Sequence, residues 1–324
     1  MATRVRTAGL RRSGVVKAAL YTALVMATSA ALAQGPPQGP RRGGGGPPQQ
    51  QAGPPAPPAA VPPAVAVARP SATEVEQARA ALTRLAASDA QARELMRKYP
   101  DLVTVTPPRA NTAIVPALSP QFAARHEANL EVAKQGDTEL LLMGDSITDF
   151  WRNAEGNFAG KAVLDKNFGH WKIANFGIAG DTTQGVFHRL KNGEGKGFSP
   201  RAVMLMIGTN NTGRNTAAEI AEGIGAVVLQ LRNDFPQAKI LLLAVFPRGQ
   251  ATDPVRATLA DINQRISKLH DGTNVHYLDI GPKFLDAQGN IPRDVMSDGL
   301  HPGPKGYEIW ADAVREPLTK LMAR

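Results

Sequence analysis

An α/β fold, with helices covering both faces of a parallel sheet, is predicted by three features of the sequence. Five short runs are apolar on successive residues, at 139–143, 172–176, 202–207, 239–245 and 275–280. Segments with helical periodicity alternate with them, near 183–192, 217–234 and 254–270, and a last one lies near 304–322. Runs without polar alternation suit strands buried on both faces, the pattern of a parallel sheet flanked by helices. The 206 residues from position 119 onward are enough for one well-buried core.

The regions before that core read differently. Residues 1–17 carry five basic side chains, and an apolar run from Val15 to Leu32 follows. It closes on Ala31-Leu32-Ala33, a small-x-small site that predicts a signal peptide over 1–33 with Gln34 as the new N-terminus. An uncleaved anchor is the alternative, but the run is marginal in length and holds Lys17, Thr22, Thr28 and Ser29. Arg11-Arg12 hints at twin-arginine export, although the residues after the pair fit that pattern poorly. The expectation is a periplasmic or secreted protein with no stable membrane span after cleavage.

Residues 34–70 contain 12 prolines and 7 glycines in 37 positions, which predicts a disordered Pro/Gly/Gln-rich linker acting as a plain spacer. Helical spacing resumes with Val75, Ala78, Leu82 and Leu85, and Ser88 with Gln91 resembles a capping box opening a second short helix that ends at Tyr99-Pro100. Residues 71–118 are therefore expected to form a helical hairpin and connector, and 119–324 the main domain. The hairpin would either pack on that domain or mediate self-association, so a homodimer is left open.

Charge and cysteine content exclude other classes. The net charge is +9, but eight basic residues precede Glu74, the first acidic one. Without them the chain holds 29 basic and 28 acidic residues, so a nucleic-acid-binding face is not expected. No cysteine is present, which removes disulfides, thiolate metal sites and a cysteine nucleophile. His126, His170, His188, His270 and His276 show no metal-site spacing and read as surface or helix-end residues. The glycine-rich stretch at 193–197 lacks phosphate-loop spacing and reads as a turn, and no Gly-x-Ser-x-Gly elbow is present.

A parallel sheet places its site beyond the carboxyl ends of its strands. There the sequence carries Gly144-Asp145-Ser146-Ile147-Thr148, then Asn175-Phe176-Gly177-Ile178-Ala179-Gly180-Asp181, then Gly208-Thr209-Asn210-Asn211. Near the C-terminus stands Asp298-Gly299-Leu300-His301-Pro302. Each alone matches an ordinary turn, with Asp149 and Asp181 as local loop caps. Together they supply an acyl-transfer site. A serine hydroxyl needs a base, and a histidine needs a partner that fixes its tautomer. Asp298 and His301, three apart on one loop, can present an imidazole to Ser146. The amides of Ser146 and Gly180 and the side chain of Asn210 can serve as oxyanion donors. Phe150 and Trp151 either wall the substrate groove or pack in the core.

These four segments resemble the blocks of the SGNH, or GDSL-type, hydrolase superfamily. The longer match, through Asn175–Gln184, Gly208–Asn211 and Phe246-Pro247-Arg248-Gly249-Gln250, is similar to the catalytic subunits of the intracellular platelet-activating-factor acetylhydrolases. The resemblance covers about residue 139 to the C-terminus. It implies a three-layer α/β/α, flavodoxin-like fold with a five-stranded parallel sheet. It also implies a Ser146–His301–Asp298 triad, an oxyanion hole of Ser146, Gly180 and Asn210, and no metal or organic cofactor. Ile147, Thr209 and Leu300 would border a small acyl pocket, although Ile147 and Leu300 are also ordinary core types. The family's second block usually carries histidine and tryptophan where this chain has Gly185 and His188, which points to a different alcohol-side pocket. The expected function is short-chain, acetyl-type ester hydrolysis on small-molecule or glycan substrates. The alternatives are a lysophospholipase or thioesterase of the same superfamily, or a non-catalytic, envelope-tethered binding module.

Overall fold

The computed structural model describes residues 56–100 and 109–323. The expected signal peptide, residues 34–55 of the expected linker and residues 101–108 of the connector lie outside the described residues. In chain order the helices and strands are α1 (Ala72–Ser88), α2 (Ala90–Lys98), α3 (Ala123–Lys134), β1 (Leu140–Gly144), α4 (Ser146–Asp149), α5 (Lys161–Phe168), β2 (Ile173–Asn175) and α6 (Thr183–Arg189). Then follow β3 (Ala202–Met206), α7 (Ala217–Asp234), β4 (Lys239–Leu243), α8 (Val255–Ile266), β5 (Val275–Leu278) and α9 (Pro304–Met322). The five strands form one sheet in the order β2-β1-β3-β4-β5, and every pairing is parallel. This is the flavodoxin-like order.

The side-chain alternation of each strand explains why its sequence is apolar throughout. Leu141, Met143, Val203, Leu205, Ile240 and Leu242 face a layer made by α6, α7 and α8. Their neighbours Leu140, Leu142, Met204, Met206, Leu241 and Leu243 face the opposite layer, where α5 and α9 contribute Phe168, Trp310, Val314 and Leu318. Successive residues thus enter different cores, and a polar residue in either register would be stranded.

Two of the expected helices have the observed bounds, α7 and α9. The segment expected at 183–192 instead ends as α-helix at Arg189 and continues as a wider turn over Leu190–Glu194, with Gly193 at φ +117°. That turn carries Glu194 back into the interior, where it is fully buried. The capping box of α1 is made by Ser71 and Glu74. For α2 the cap is Asp89, which accepts from the amides of Gln91 (2.8 Å) and Ala92 (3.0 Å). Ser88 is the last residue of α1 and donates to the Arg84 carbonyl, so it does not open the second helix. Aspartate competes better than serine for two amides because its carboxylate accepts at full charge. The hairpin buries Val75 but leaves Leu85 45% and Leu95 52% exposed.

The expected spacer also behaves differently where it is described. Residues 56–70 lie against α7 and the segment at 112–114. The Ala59 amide donates to the Ile114 carbonyl (2.7 Å), and Val65 is 5% exposed within the α7 core layer. A Cβ on Gly225 of α7 would lie 2.6 Å from the Val65 side chain and 3.0 Å from Pro62, so glycine permits this close approach. Glu222, 1% exposed, accepts from the Val67 amide, from Asn111 and from the Arg69 guanidinium. Burial pushes the Glu222 carboxyl up, but those bonds outweigh it and hold it below its ordinary value. The composition is that of a spacer. One valine and one arginine, placed opposite a glycine and a buried glutamate, are enough to dock it.

A chain beginning at Ser71 should therefore be less stable than one beginning at Ala56. Loss of residues 56–70 uncovers the α7 face around Gly225 and Glu222, which is read as a lower urea midpoint.

Candidate active site

The four polar segments meet at the carboxyl ends of the strands. β1 ends at Gly144, and Asp145 caps the short α4, whose first residue is Ser146. Asp145 Oδ1 accepts from the Ile147 amide (3.0 Å). Tyr307 of α9, fully buried, donates its hydroxyl to the Ile147 carbonyl (2.9 Å), so the turn that carries Ser146 is held from both sides. Ser146 is 6% exposed. Its Oγ lies 2.9 Å from Nε2 of His301, whose Nδ1 lies 2.7 Å from Asp298 Oδ2. With the ring proton on Nδ1, donated to the carboxylate, Nε2 is left to accept from the serine hydroxyl.

Asp298 is built to hold that orientation. Its other oxygen accepts from the amides of Leu300 (2.9 Å) and His301 (2.8 Å), closing the turn that Gly299 (φ +72°) permits. Burial pushes the Asp298 carboxyl up, but bonds from the His301 amide, the imidazole and the Leu300 amide hold it below its ordinary value. The Gly249 amide donates to the Gly299 carbonyl (2.9 Å), so the segment at 246–250 supports the histidine loop. The rings of Phe150 and Phe158 stand 5.1 and 5.2 Å from the imidazole and stack on each other. Trp151 is fully buried in the core. The two aromatics after the nucleophile thus divide between site and core.

The segment after β2 is fixed by a buried ionic cluster. Arg189, fully buried, pairs with the carboxylates of Asp181 (2.9 Å) and Glu194, both fully buried. Glu194 Oε1 also binds His126 Nδ1 (2.8 Å) and Asn129 Nδ2 (3.1 Å) of α3. Burial pushes the Asp181 carboxyl up, against the opposing pull of the Arg189 charge. A Cβ at position 185 would lie 1.9 Å from Asp181 Oδ1, which is why glycine stands there. The same segment is tied to the nucleophile turn. Asp149 Oδ2 accepts from the Ala179 amide (2.9 Å), and Asn175 donates to the Thr148 carbonyl (2.9 Å).

This clamp presents two donors. Gly180 has φ +86°, and no acceptor among the described residues takes its amide. Asn210 donates one hydrogen of its side-chain amide to the Asp181 carbonyl (2.8 Å), leaving the other free. Gly180 and Asn210 together line a cavity of about 380 Å³. The site thus brings a hydroxyl, an imidazole and a carboxylate into one hydrogen-bonded line, with two free donors on neighbouring strand-end segments.

The acyl-pocket candidates separate. Ile147 and Thr209 are each 1% exposed, Ile147 within the core and Thr209 accepting from Arg248 (3.3 Å). Leu300 is half-buried and packs on the same core, retaining open surface. Of the expected local caps, Asp181 does accept from the Thr182 amide (2.8 Å) while its other oxygen pairs with Arg189, and Asp149 reaches across to the Ala179 amide. His126, expected at the surface, is 6% exposed and bonded to Glu194. Glu194 and Phe158 were not singled out by sequence. Glu194 sits in a stretch that reads as a turn, and nothing in its spacing marks a partner 68 residues away from His126. Among the described residues no group of three His, Cys, Asp or Glu side chains is placed to hold a metal ion, and no helix is long and apolar enough to cross a membrane.

Two pH and stability outcomes follow from this geometry. Asp145 is fully buried and its Oδ2 has no hydrogen-bond partner. Burial, aided by the Asp181 charge, pushes its carboxyl up to about 7. The folded state thus keeps a proton that the unfolded chain loses near pH 4. Its contribution is full below that value and is lost as pH rises towards about 7. Asp145→Asn should flatten the fall in stability between pH 4 and pH 7 measured by urea unfolding. Arg189→Met should cost about 3–5 kcal/mol by taking the guanidinium from two buried carboxylates, read in the same assay.

The model of the GDSL-like lipase/acylhydrolase family matches residues 142–309. The chain is 34% identical over 203 residues to platelet-activating factor acetylhydrolase IB subunit alpha2 of Rattus norvegicus, covering 62% of this chain and 85% of that protein. It is 32% identical over 205 residues to subunit alpha1 of the human enzyme, covering 63% and 85%. A solved Bacteroides fragilis structure described as an acylhydrolase superimposes with TM-score 0.52 at 18% identity, over 64% of this chain and all of that one, and shows the fold. The chain belongs to the GDSL-like lipase/acylhydrolase family, of the SGNH hydrolase type, and is a hydrolase acting on esters.

Proposed function

We propose that the chain is an exported serine esterase that removes short, acetyl-type acyl groups from small-molecule or glycan esters. The observation that carries this reading is the continuous line from Asp298 through His301 to Ser146, with contacts of 2.7 and 2.9 Å. Ser146 Oγ attacks the ester carbonyl as His301 Nε2 takes its proton. Asp298 holds the tautomer and stabilises the imidazolium. The oxyanion is received by the amides of Ser146 and Gly180 and by the free amide hydrogen of Asn210. His301 then protonates the leaving alcohol, and later activates the water that frees the acyl group. Export rests on the basic, apolar leader ending at Ala33.

A short acyl group is favoured because Ile147 and Thr209 are closed off and Leu300 alone among the three keeps open surface. Ser146→Ala should lower kcat by a factor on the order of 10⁶, and Asn210→Ala by roughly 10²–10³, measured with p-nitrophenyl acetate. In a chain-length series, turnover should fall from acetate to longer esters. Leu300→Ala should raise the ratio of kcat/KM for butyrate over acetate. A wild-type preference for long chains would replace this reading with a lysophospholipase or thioesterase.

A further inference from the structure

The cavity beside Gly180 and Asn210 is far larger than an acetyl group needs. Its volume is about 380 Å³, and its walls include Leu118, Phe122, Thr182, Gln184 and Arg214. An ester whose carbonyl oxygen rests on Gly180 and Asn210 projects one of its substituents into this space. A methyl group leaves most of it empty, so the alcohol moiety is the occupant. Ala117, Leu118 and Phe122 supply its apolar surface, and amide, hydroxyl, carboxyl and guanidinium groups form much of the rest. That lining suits a sugar better than a lipid tail.

Charge narrows the class. Asp181 and Arg214 are the two titratable groups on the wall. The Asp181 carboxylate is fully buried and committed to Arg189. Arg214 is exposed and has no carboxylate partner among the described residues. Nearby Glu219 is already taken by Arg109 and by the Thr216 amide (2.9 Å), while Arg109 also donates to the Arg214 carbonyl (3.3 Å). On the other flank of the 209–212 turn, Arg248 bonds only the neutral oxygens of Thr209 and Thr212. Arg214 therefore stands on the cavity wall without a carboxylate partner among the described residues, while Arg248 lies outside the lining and within reach of the Asp145 charge. Guanidinium is suited to planar carboxylate through paired hydrogen bonds.

We propose that this cavity is a subsite for a carboxylate-bearing sugar, so that the preferred substrates are acetyl esters of acidic glycans. The proposal rests on the serine-esterase reading and adds the alcohol it takes. The test compares kcat/KM on acetylated oligogalacturonides and on neutral acetylated xylo-oligosaccharides, for wild type and Arg214→Gln, at low and high salt. Wild type should prefer the acidic substrate about tenfold, a difference near 1.4 kcal/mol. High salt and Arg214→Gln should each shrink that ratio. An equal ratio in both proteins, or a preference for the neutral glycan, would overturn the subsite. So would stronger, Arg214-dependent turnover of an acetylated glycerophospholipid, which would assign the guanidinium to phosphate. p-Nitrophenyl acetate, which carries no anion, separates the two levels. Its turnover by wild type with no Arg214-dependent preference removes the subsite alone, whereas no serine-dependent turnover removes the esterase reading together with it.

Discussion

The arrangement at the carboxyl ends of the strands depends on a charge cluster that water does not reach. Arg189 stands between Asp181 and Glu194 with all three fully buried, and His126 and Asn129 complete the shell around Glu194. A buried ion pair adds little net stability over an apolar substitute, but breaking it leaves an unpaired charge in a medium that cannot solvate it. Its value here is directional. Asp181 follows Gly180 directly, and its carbonyl is the acceptor that orients Asn210. One guanidinium thus fixes the backbone donor and, through a single carbonyl, the side-chain donor.

The turn that carries Ser146 has further supports. Asp145 caps α4, Tyr307 holds the Ile147 carbonyl, and Asp149 reaches across to the Ala179 amide. The histidine loop has its own support in the Gly249–Gly299 contact and in the two amides that Asp298 accepts. Three segments, the first two tied to each other through Asp149 and Asn175, converge because the parallel sheet brings successive strand ends to one edge. Preorganisation of this kind lets the donors act without reorganising as charge develops.

Much of this is written locally. A strand apolar on every residue announces two-sided burial, so residues 202–207 and 239–245 declare the parallel sheet without reference to any partner. Ser146, Gly180, Asn210 and the Asp298–His301 pair each follow a strand or close a turn, and their order is visible along the chain. What was hidden is relational. Glu194 reads as part of a glycine-rich turn until the turn folds inward to Arg189. His126 is an unremarkable helical residue until α3 packs over that turn. The 56–70 segment has a spacer's composition, yet Val65 finds the bare backbone of Gly225 and Arg69 finds Glu222. Likewise, Phe158 lies on a loop between elements, and only the fold places its ring beside His301. Periodicity and turn chemistry act over a few residues, whereas these pairings span dozens.

The central claim is a covalent acyl-enzyme on Ser146. Its most direct measurement is acid quenching during turnover of an acetyl ester, followed by peptide mapping with mass spectrometry. A single acetyl group is expected on the peptide that contains Ser146, accumulating as a burst and absent from Ser146→Ala. Turnover with the label on another residue, or undiminished turnover by Ser146→Ala, would contradict it.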